Sequence, residues 1–303
     1  MSSLSAQFGT YWMESEAIRA FFDAHAREVD SLYTGNSWWR TSFNRIFRRA
    51  IYERFSVTLA ESGDVRGATI LDVGCGPGHY ALAYARLGAA RVVGIDIARN
   101  LVDAGNKRAA EADLSRLTFQ EGDACDLQGV SDHSFDLTLS VFGAMFAPRP
   151  FDVAREMVRV TRPGGRIVMG NWIPDDSASF VSQLLKISSS FMPPPPEGFV
   201  SPMTWGVDTH IIERFGQAGV RKANISMVKD TFSFISPDKS PAQVIESFRR
   251  FYGPTMSAFE AAHKSGTADN LHDQLLELAE THNTKSDGST SIPATFLRVT
   301  VRL

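Results

Sequence analysis

Cysteine is scarce in this chain: Cys75 and Cys125 are the only two in 303 residues. Two thiols build no disulfide framework, and neither has a CxxC partner or a histidine at metal-ligand spacing, so no metal is expected. An excess of charge is missing as well. The net charge is −3, which offers no global cationic field to nucleic acid, and none is expected as a partner. The one basic cluster, Arg40, Arg45, Arg48, Arg49 and Arg54, has the spacing of a helix's polar face. It reads as a solvated face, with an anion-binding role near a substrate mouth as the alternative. Long apolar runs are absent too. No stretch reaches the roughly 18 apolar residues of a membrane span. Glu14, Glu16, Asp23, His25 and Glu28 interrupt the region where a secretory signal would lie, so a cytoplasmic protein is expected.

The composition that remains, 43% hydrophobic and 21% charged, can bury one large core or two smaller ones. Residues 1–66 carry apolar side chains at three- and four-residue steps, which predicts helices over Glu14–Asp30 and Trp38–Glu61. From residue 67 the pattern becomes strand, turn, helix. Strands are predicted at Thr69–Val73, Arg91–Ile97, Leu117–Glu121, Phe135–Val141 and Arg166–Asn171, and helices at Tyr80–Leu87, Asn100–Asp113 and Phe151–Arg162. Nearly continuous apolar strands alternating with helices imply a parallel sheet covered on both faces. Further on, helices are predicted at Thr209–Ala218, Ala242–Lys264 (bent or broken at Pro254) and Leu271–Thr281, with strands at Asn224–Phe234 and Ile292–Leu303. Pro193 to Pro196 form a stiff polyproline run, either a linker or one wall of a substrate entrance. The expected architecture is α/β: a doubly wound, mostly parallel seven-stranded sheet. A helical lid (1–66) precedes the core (67–174), and a third segment (175–303) completes the sheet with helical insertions.

The chemistry-bearing segment is Gly74-Cys75-Gly76-Pro77-Gly78, directly after the first strand. Ligands of open parallel sheets sit beyond the carboxyl ends of the strands, where the first βα turn is glycine-rich. Glycines let the backbone approach a ligand, and the following helix offers unpaired N–H groups to an anionic part of it. Asp96 ends the second strand, 22 residues after Gly74, where a carboxylate can accept hydrogen bonds from ribose hydroxyls. Glu121-Gly122-Asp123-Ala124 closes the third strand with an acid in reach of an adenine amino group. The competing dinucleotide fingerprint, G-x-G-x-x-G/A, requires a small residue where this chain has His79.

The run Ile70-Leu71-Asp72-Val73-Gly74-Cys75-Gly76-Pro77-Gly78 resembles the first motif of class I S-adenosylmethionine-dependent methyltransferases. Asp96, Asp123 and the turn Arg162-Pro163-Gly164-Gly165 match that family's later stations. Gly143-Ala144-Met145-Phe146-Ala147-Pro148 and Asn171-Trp172-Ile173-Pro174 are similar to its ubiquinone/menaquinone-biosynthesis-like branch, which works on small molecules. Trp39–Phe55 resembles magnesium-protoporphyrin methyltransferases more distantly. The resemblance implies S-adenosylmethionine as cofactor, with Gly74, Gly76 and Gly78 facing its methionine part. Asp96 would hold the ribose, Ile97 would pack on the adenine, Asp123 and Ala124 would hold it, and the backbone after Ser140 would flank the sulfonium. Asp72 would position the loop from behind, and His79 would either meet the cofactor carboxylate or face solvent.

A sulfonium methyl is already electrophilic, so the protein mainly has to align an acceptor. Strand four ends Ser140-Val141-Phe142-Gly143, unlike the Asn/Asp-Pro-Pro-Tyr/Phe of enzymes that methylate base amines or glutamine amides. Phe142, Met145, Phe146 and Trp172 follow strand ends, and Tyr11, Trp12 and Tyr33 lie in the expected lid. These residues are either pocket or packing. Their shared location favours O- or C-methylation of a small aromatic or isoprenoid-like acceptor. A macromolecular acceptor and a non-catalytic cofactor-binding module are the alternatives. His25 and His210 are candidates for a base, without a motif to name either; a homo-oligomer is compatible with all of this.

Overall fold

The computed structural model describes residues 54–195 and 197–303. Tyr11, Trp12, Tyr33, His25, most of the expected lid and Pro196 lie outside the described residues. Residues 54–62 are helical. The strands are β1 (Thr69–Val73), β2 (Arg91–Asp96), β3 (Leu117–Glu121), β4 (Phe135–Val141), β5 (Thr161–Trp172), β6 (Ile225–Ser236) and β7 (Thr290–Arg302). The helices are α1 (His79–Arg86), α2 (Arg99–Glu111), α3 (Pro150–Val160), α4 (Phe180–Ser190), α5 (Asp208–Gln217), α6 (Pro241–Phe251), α7 (Gly253–Ser265) and α8 (Ala268–His282).

The seven strands form one sheet in the order β3-β2-β1-β4-β5-β7-β6. β1 through β5 pair in parallel, and β7 runs antiparallel to both β5 and β6. The order reverses at β1, so β1 and β4 diverge to opposite sides and open a crevice at their carboxyl ends, where ligands of such sheets bind. The central strands read as continuous apolar runs because both faces are covered: Ile70, Leu71 and Val73 of β1 are all fully buried.

Two departures from the sequence reading have clear causes. The expected turn Arg162-Pro163-Gly164-Gly165 belongs to β5, where Phe135 pairs with Thr161 but Leu137 with Arg166. The extra residues bulge out, with Gly164 at φ +79° donating its N–H to the Leu303 carbonyl. Ala242–Lys264 is two helices, and the break falls at Tyr252, just before Gly253 and Pro254. Pro254 lacks an N–H and suits the first turn of the new helix, so α6 stops and α7 starts.

The helix at 54–62 is tied to the sheet from both ends of the chain. Phe55 packs edge-on against Tyr84 and tilted against Tyr80 of α1. Ser62 and Tyr84 share a 2.6 Å hydrogen bond between hydroxyls. Arg298 of β7 joins Glu61 of that helix to Asp230 of β6. On the other sheet face Phe180 of α4 meets Phe234 of β6 and Phe248 of α6, so the late helices share one aromatic core with the antiparallel strands.

Candidate active site

The first βα turn is built by three glycines in the left-handed region, Gly74 (φ +67°), Gly76 (φ +54°) and Gly78 (φ +83°). Each has a different neighbour. A Cβ on Gly74 would stand 2.7 Å from the Cα of Gly143, so the loop after β1 lies directly on the loop after β4. A Cβ on Gly78 would enter the ring of Phe119. A Cβ on Gly76 would meet nothing within 4 Å, which leaves the outer side of the loop open to a ligand. Asp72 sits behind this loop, 2% exposed, with Oδ2 unpaired. Burial pushes its carboxyl up to about 7, Asp96 adds to the shift, and a bond from the Ala81 N–H in the first turn of α1 opposes it.

Asp96 aims its carboxylate at the same loop. Oδ2 accepts from the Gly76 N–H at 2.7 Å and Oδ1 from the Ala98 N–H at 2.9 Å. Each oxygen has further lone pairs, so the group stands fixed and able to accept more donors. Ile97 next to it is 72% exposed, an apolar surface at a strand end. Asp123 Oδ1 accepts the Cys125 N–H at 2.8 Å while Oδ2 faces Arg149 at 3.5 Å; Ala124 beside it is half-buried. Ser140, 1% exposed, donates to the Val73 carbonyl at 2.7 Å and accepts the Ala144 N–H at 2.8 Å. Its hydroxyl therefore clamps the ends of β1 and β4 together. His79 is half-buried at the start of α1. Burial and the nearby Arg108 guanidinium pull its pKa down to about 3, so it is neutral. Arg108 itself donates to the Pro77 carbonyl and pins the loop from α2.

Beside the glycine loop stands an aromatic wall. Phe142 is a bulky residue at φ +60°, a conformation such side chains avoid, directly after β4. That turn stacks its ring on Trp172, at the end of β5, with centroids 3.9 Å apart and 19° between planes. Phe296 and Phe232 extend the wall. Met145 is 2% exposed and belongs to the core, whereas Phe146 is 47% exposed. Arg54 overturns its reading as part of a solvated basic face. Its guanidinium lies over the rings of Phe142 and Phe232, and loss of solvation lowers its pKa. The other arginines of that cluster lie outside the described residues. His210 is partly exposed on α5, 3.9 Å from Glu213, and is not among the residues of this wall. Pro193–Pro195 are exposed. No cluster of three or more histidine, cysteine or acidic side chains fit for a metal occurs among the described residues. No helix among them is long and apolar enough to cross a membrane.

Phe232 and Phe296 stand in no sequence motif, and only the fold brings them beside Phe142 and Trp172. Gly143 carried a signal that went unused, a glycine placed directly after the Ser140-Val141-Phe142 strand end.

A left-handed glycine cradle open on one side, a fixed carboxylate at the end of β2 and a bare apolar residue beside it fit an adenosine-bearing ligand with a compact charged end. The comparisons with known proteins agree. Residues 71–169 match the family model described as "Methyltransferase domain". The chain is 31% identical over 207 residues to the uncharacterized protein Rv1403c of Mycobacterium tuberculosis, covering 68% of this chain and 71% of that one. The chain belongs to the class I S-adenosylmethionine-dependent methyltransferases, it is an enzyme of that type, and S-adenosylmethionine is its cofactor. Among relatives with a named activity, it is 36% identical over 108 residues to the 27-O-demethylrifamycin SV methyltransferase of Amycolatopsis mediterranei, covering 35% of this chain and 39% of that one. The fold matches the crystal structure of YcgJ protein from Bacillus subtilis with a TM-score of 0.52 at 18% identity, covering 82% of this chain and 97% of that one.

Proposed function

We propose that this methyltransferase acts on the oxygen or carbon of a small aromatic or isoprenoid-like metabolite. The observation that carries the reading is the stacked Phe142–Trp172 pair, which sits one residue from Gly143 and hence beside the glycine loop. A flat apolar wall there suits a flat apolar acceptor, and Phe142 is held in a strained conformation to supply it. The named methyltransferase relative, whose substrate is a demethylrifamycin, supports a small-molecule acceptor.

In this reading Gly74, Gly76 and Gly78 take the methionine part of the cofactor, with Asp72 fixing the loop from behind. Asp96 takes the ribose hydroxyls. Ile97 covers one adenine face, and Asp123 with Ala124 binds its edge. Ser140 keeps the β4 end against the loop, so that the backbone after it borders the reacting centre. When bound, S-adenosylmethionine supplies an electrophilic methyl group on sulfur. The chain's own contribution is alignment, which in well-oriented reactions is worth about 7–11 kcal/mol. The helices within 175–290 close over the acceptor and exclude water.

The test is transfer of labelled methyl from S-adenosylmethionine into a fractionated bacterial extract. Label in organic-soluble small molecules supports the reading. Label confined to acid-precipitable protein or RNA, or cofactor binding with no transfer at all, would replace it with one of the two alternatives.

A further inference from the structure

Beyond the end of β3, Asp123 has a charged neighbour with no task in the account so far. The turn after that strand fixes the carboxylate. Oδ1 accepts the Cys125 N–H at 2.8 Å, and the Asp123 carbonyl accepts the Asp126 N–H at 3.0 Å. Oδ2 is left facing Arg149, the residue before α3, at 3.5 Å. That is a contact of charges, longer than an ordinary hydrogen bond. Glu121, two residues earlier, differs: its Oε2 accepts from Arg99 Nε at 2.8 Å. Asp123 Oδ2 therefore keeps its lone pairs for a donor that comes from outside.

Arg149 is held where it stands. Its Nε donates to Asp152 Oδ2 at 2.7 Å, and Arg155 donates to the other oxygen of Asp152 at 2.6 Å. Hydrogen bonds from these two guanidinium groups hold the Asp152 carboxyl below its ordinary range. The backbone is fastened as well. Cys125 Sγ lies 3.8 Å from the Arg149 carbonyl, and the Leu127 N–H donates to Glu156 of α3 at 2.8 Å. Charges thus alternate across this surface from Asp123 through Arg149 and Asp152 to Arg155, and the Arg149 guanidinium stands close to Asp123 without occupying Oδ2. The Arg149 and Asp123 side chains are 55% and 38% exposed, so water screens the pair and it contributes little in the free enzyme. A base lying on Asp123 removes that water. The carboxylate then loses solvation that a fixed opposite charge can replace, and the same pair acts through a lower dielectric.

We propose that Arg149 is a positioning residue for the cofactor, offsetting the Asp123 charge that adenine covers and so raising affinity for the adenosyl group. The inference rests on the reading that Asp123 binds the adenine edge. Arg149 acts through Asp123, which in that reading accepts from the adenine amino group. Its contribution appears on binding and not on folding.

Calorimetric titration of the full-length enzyme tests this with two ligands, S-adenosylhomocysteine and its purine analogue, in which hydrogen replaces the adenine amino group. The wild type should bind the adenosyl compound roughly tenfold tighter or more, the worth of a hydrogen bond to a charged group. Arg149→Met should weaken binding of the adenosyl compound about three- to tenfold, and Arg149→Lys, which keeps the charge, should recover part of that loss. The thermal midpoint of either variant without ligand should stay at the wild-type value, since the pair is solvated there. In the Asp123→Asn background, Arg149→Met should cost less than about twofold, because the charge that it offsets is gone. Equal affinity of the wild type for the two ligands would remove the adenine role of Asp123, and the proposal with it. With that preference intact, three results would overturn the role of Arg149 alone: unchanged or tighter binding by Arg149→Met, an equal loss in the Asp123→Asn background, or a loss matched by a fall in the thermal midpoint.

Discussion

Gly74 and Gly76 lie two residues apart in one loop, and the structure gives them different duties. Both hold positive φ, so alanine at either position is strained by about 1 kcal/mol. At Gly74 the added methyl would also meet the Gly143 backbone at 2.7 Å, and backbone on both sides leaves nothing flexible to yield. Gly74→Ala should therefore lower the thermal midpoint markedly. Gly76→Ala adds its methyl to open space, so it should fold with a small stability loss yet bind S-adenosylhomocysteine poorly, because the methyl occupies the ligand's side. Thermal unfolding and calorimetric titration of both variants check this; equal loss of stability in the two would sink it. Asp96 gives the complementary case. Asp96→Ala should weaken cofactor binding by about 1.5–3 kcal/mol, the range for hydrogen bonds to a charged group. Because Asp96 also holds the N–H groups of Gly76 and Ala98, Asp96→Asn should recover part of the loss by keeping one acceptor oxygen. Unchanged affinity in the alanine variant would remove the ribose role.

The elements around the glycine loop are spaced by one side chain. Phe119 of β3 projects into a slot lined by Gly78 of the loop, Gly94 of β2 and Gly105 of α2, each of which would clash with its ring if it bore a Cβ. Helix α2 and the loop can thus approach the sheet only because three glycines surround a phenylalanine. A Cβ on Gly94 would stand 2.6 Å from Phe119 Cε1, so Gly94→Ala should cost about 1–3 kcal/mol as overpacking. Phe119→Leu in the same chain should return part of that cost, since residues in contact do not add independently. Additive losses in urea unfolding of the single and double variants would show that the ring is not what excludes the methyl. Elements of this kind were legible where their signal is local. β1, β3 and β4 run over the residues that short apolar stretches between turns predict, because strands buried on both faces leave that trace. The glycine loop and Asp96 were legible because the cofactor chemistry is compressed into one βαβ unit. α4 went unread: its apolar positions alternate with four serines, and prolines follow it, so the stretch looks like loop. The wall of Phe142, Trp172, Phe232 and Phe296, with Arg54 over it, draws on five distant parts of the chain. Its members meet only through strand order, and no window along the sequence contains that information.

For the whole molecule, two groups at the cofactor loop shape the response of stability to acid, and their signs oppose. His79 has its folded pKa lowered from 6.5 to about 3. Between those values the unfolded chain binds a proton that the folded one refuses, so stability falls as pH falls, by about 1.4 kcal/mol per unit. Asp72 has its folded pKa raised from 3.8 to about 7. Between those values the folded protein keeps a proton that the unfolded chain has released, so stability rises as pH falls, by a similar slope. From pH 6.5 to 4.5 the two cancel. Below that, the depressed carboxyls of Asp136, Glu156 and Asp176 begin to take up protons in the unfolded chain, and acid unfolding sets in. The wild type should therefore show a nearly level urea midpoint across roughly pH 4.5–6.5. Asp72→Asn leaves the His79 slope alone and should lose roughly 2–3 kcal/mol over that fall in pH, whereas His79→Gln should gain as much. Two variants with the same pH slope would show that the loop's charges are not balanced in this way. Opposite slopes would mean that the chain carries an acid held protonated and a histidine held neutral on either side of its cofactor loop, with little net effect on stability in the pH range where both titrate.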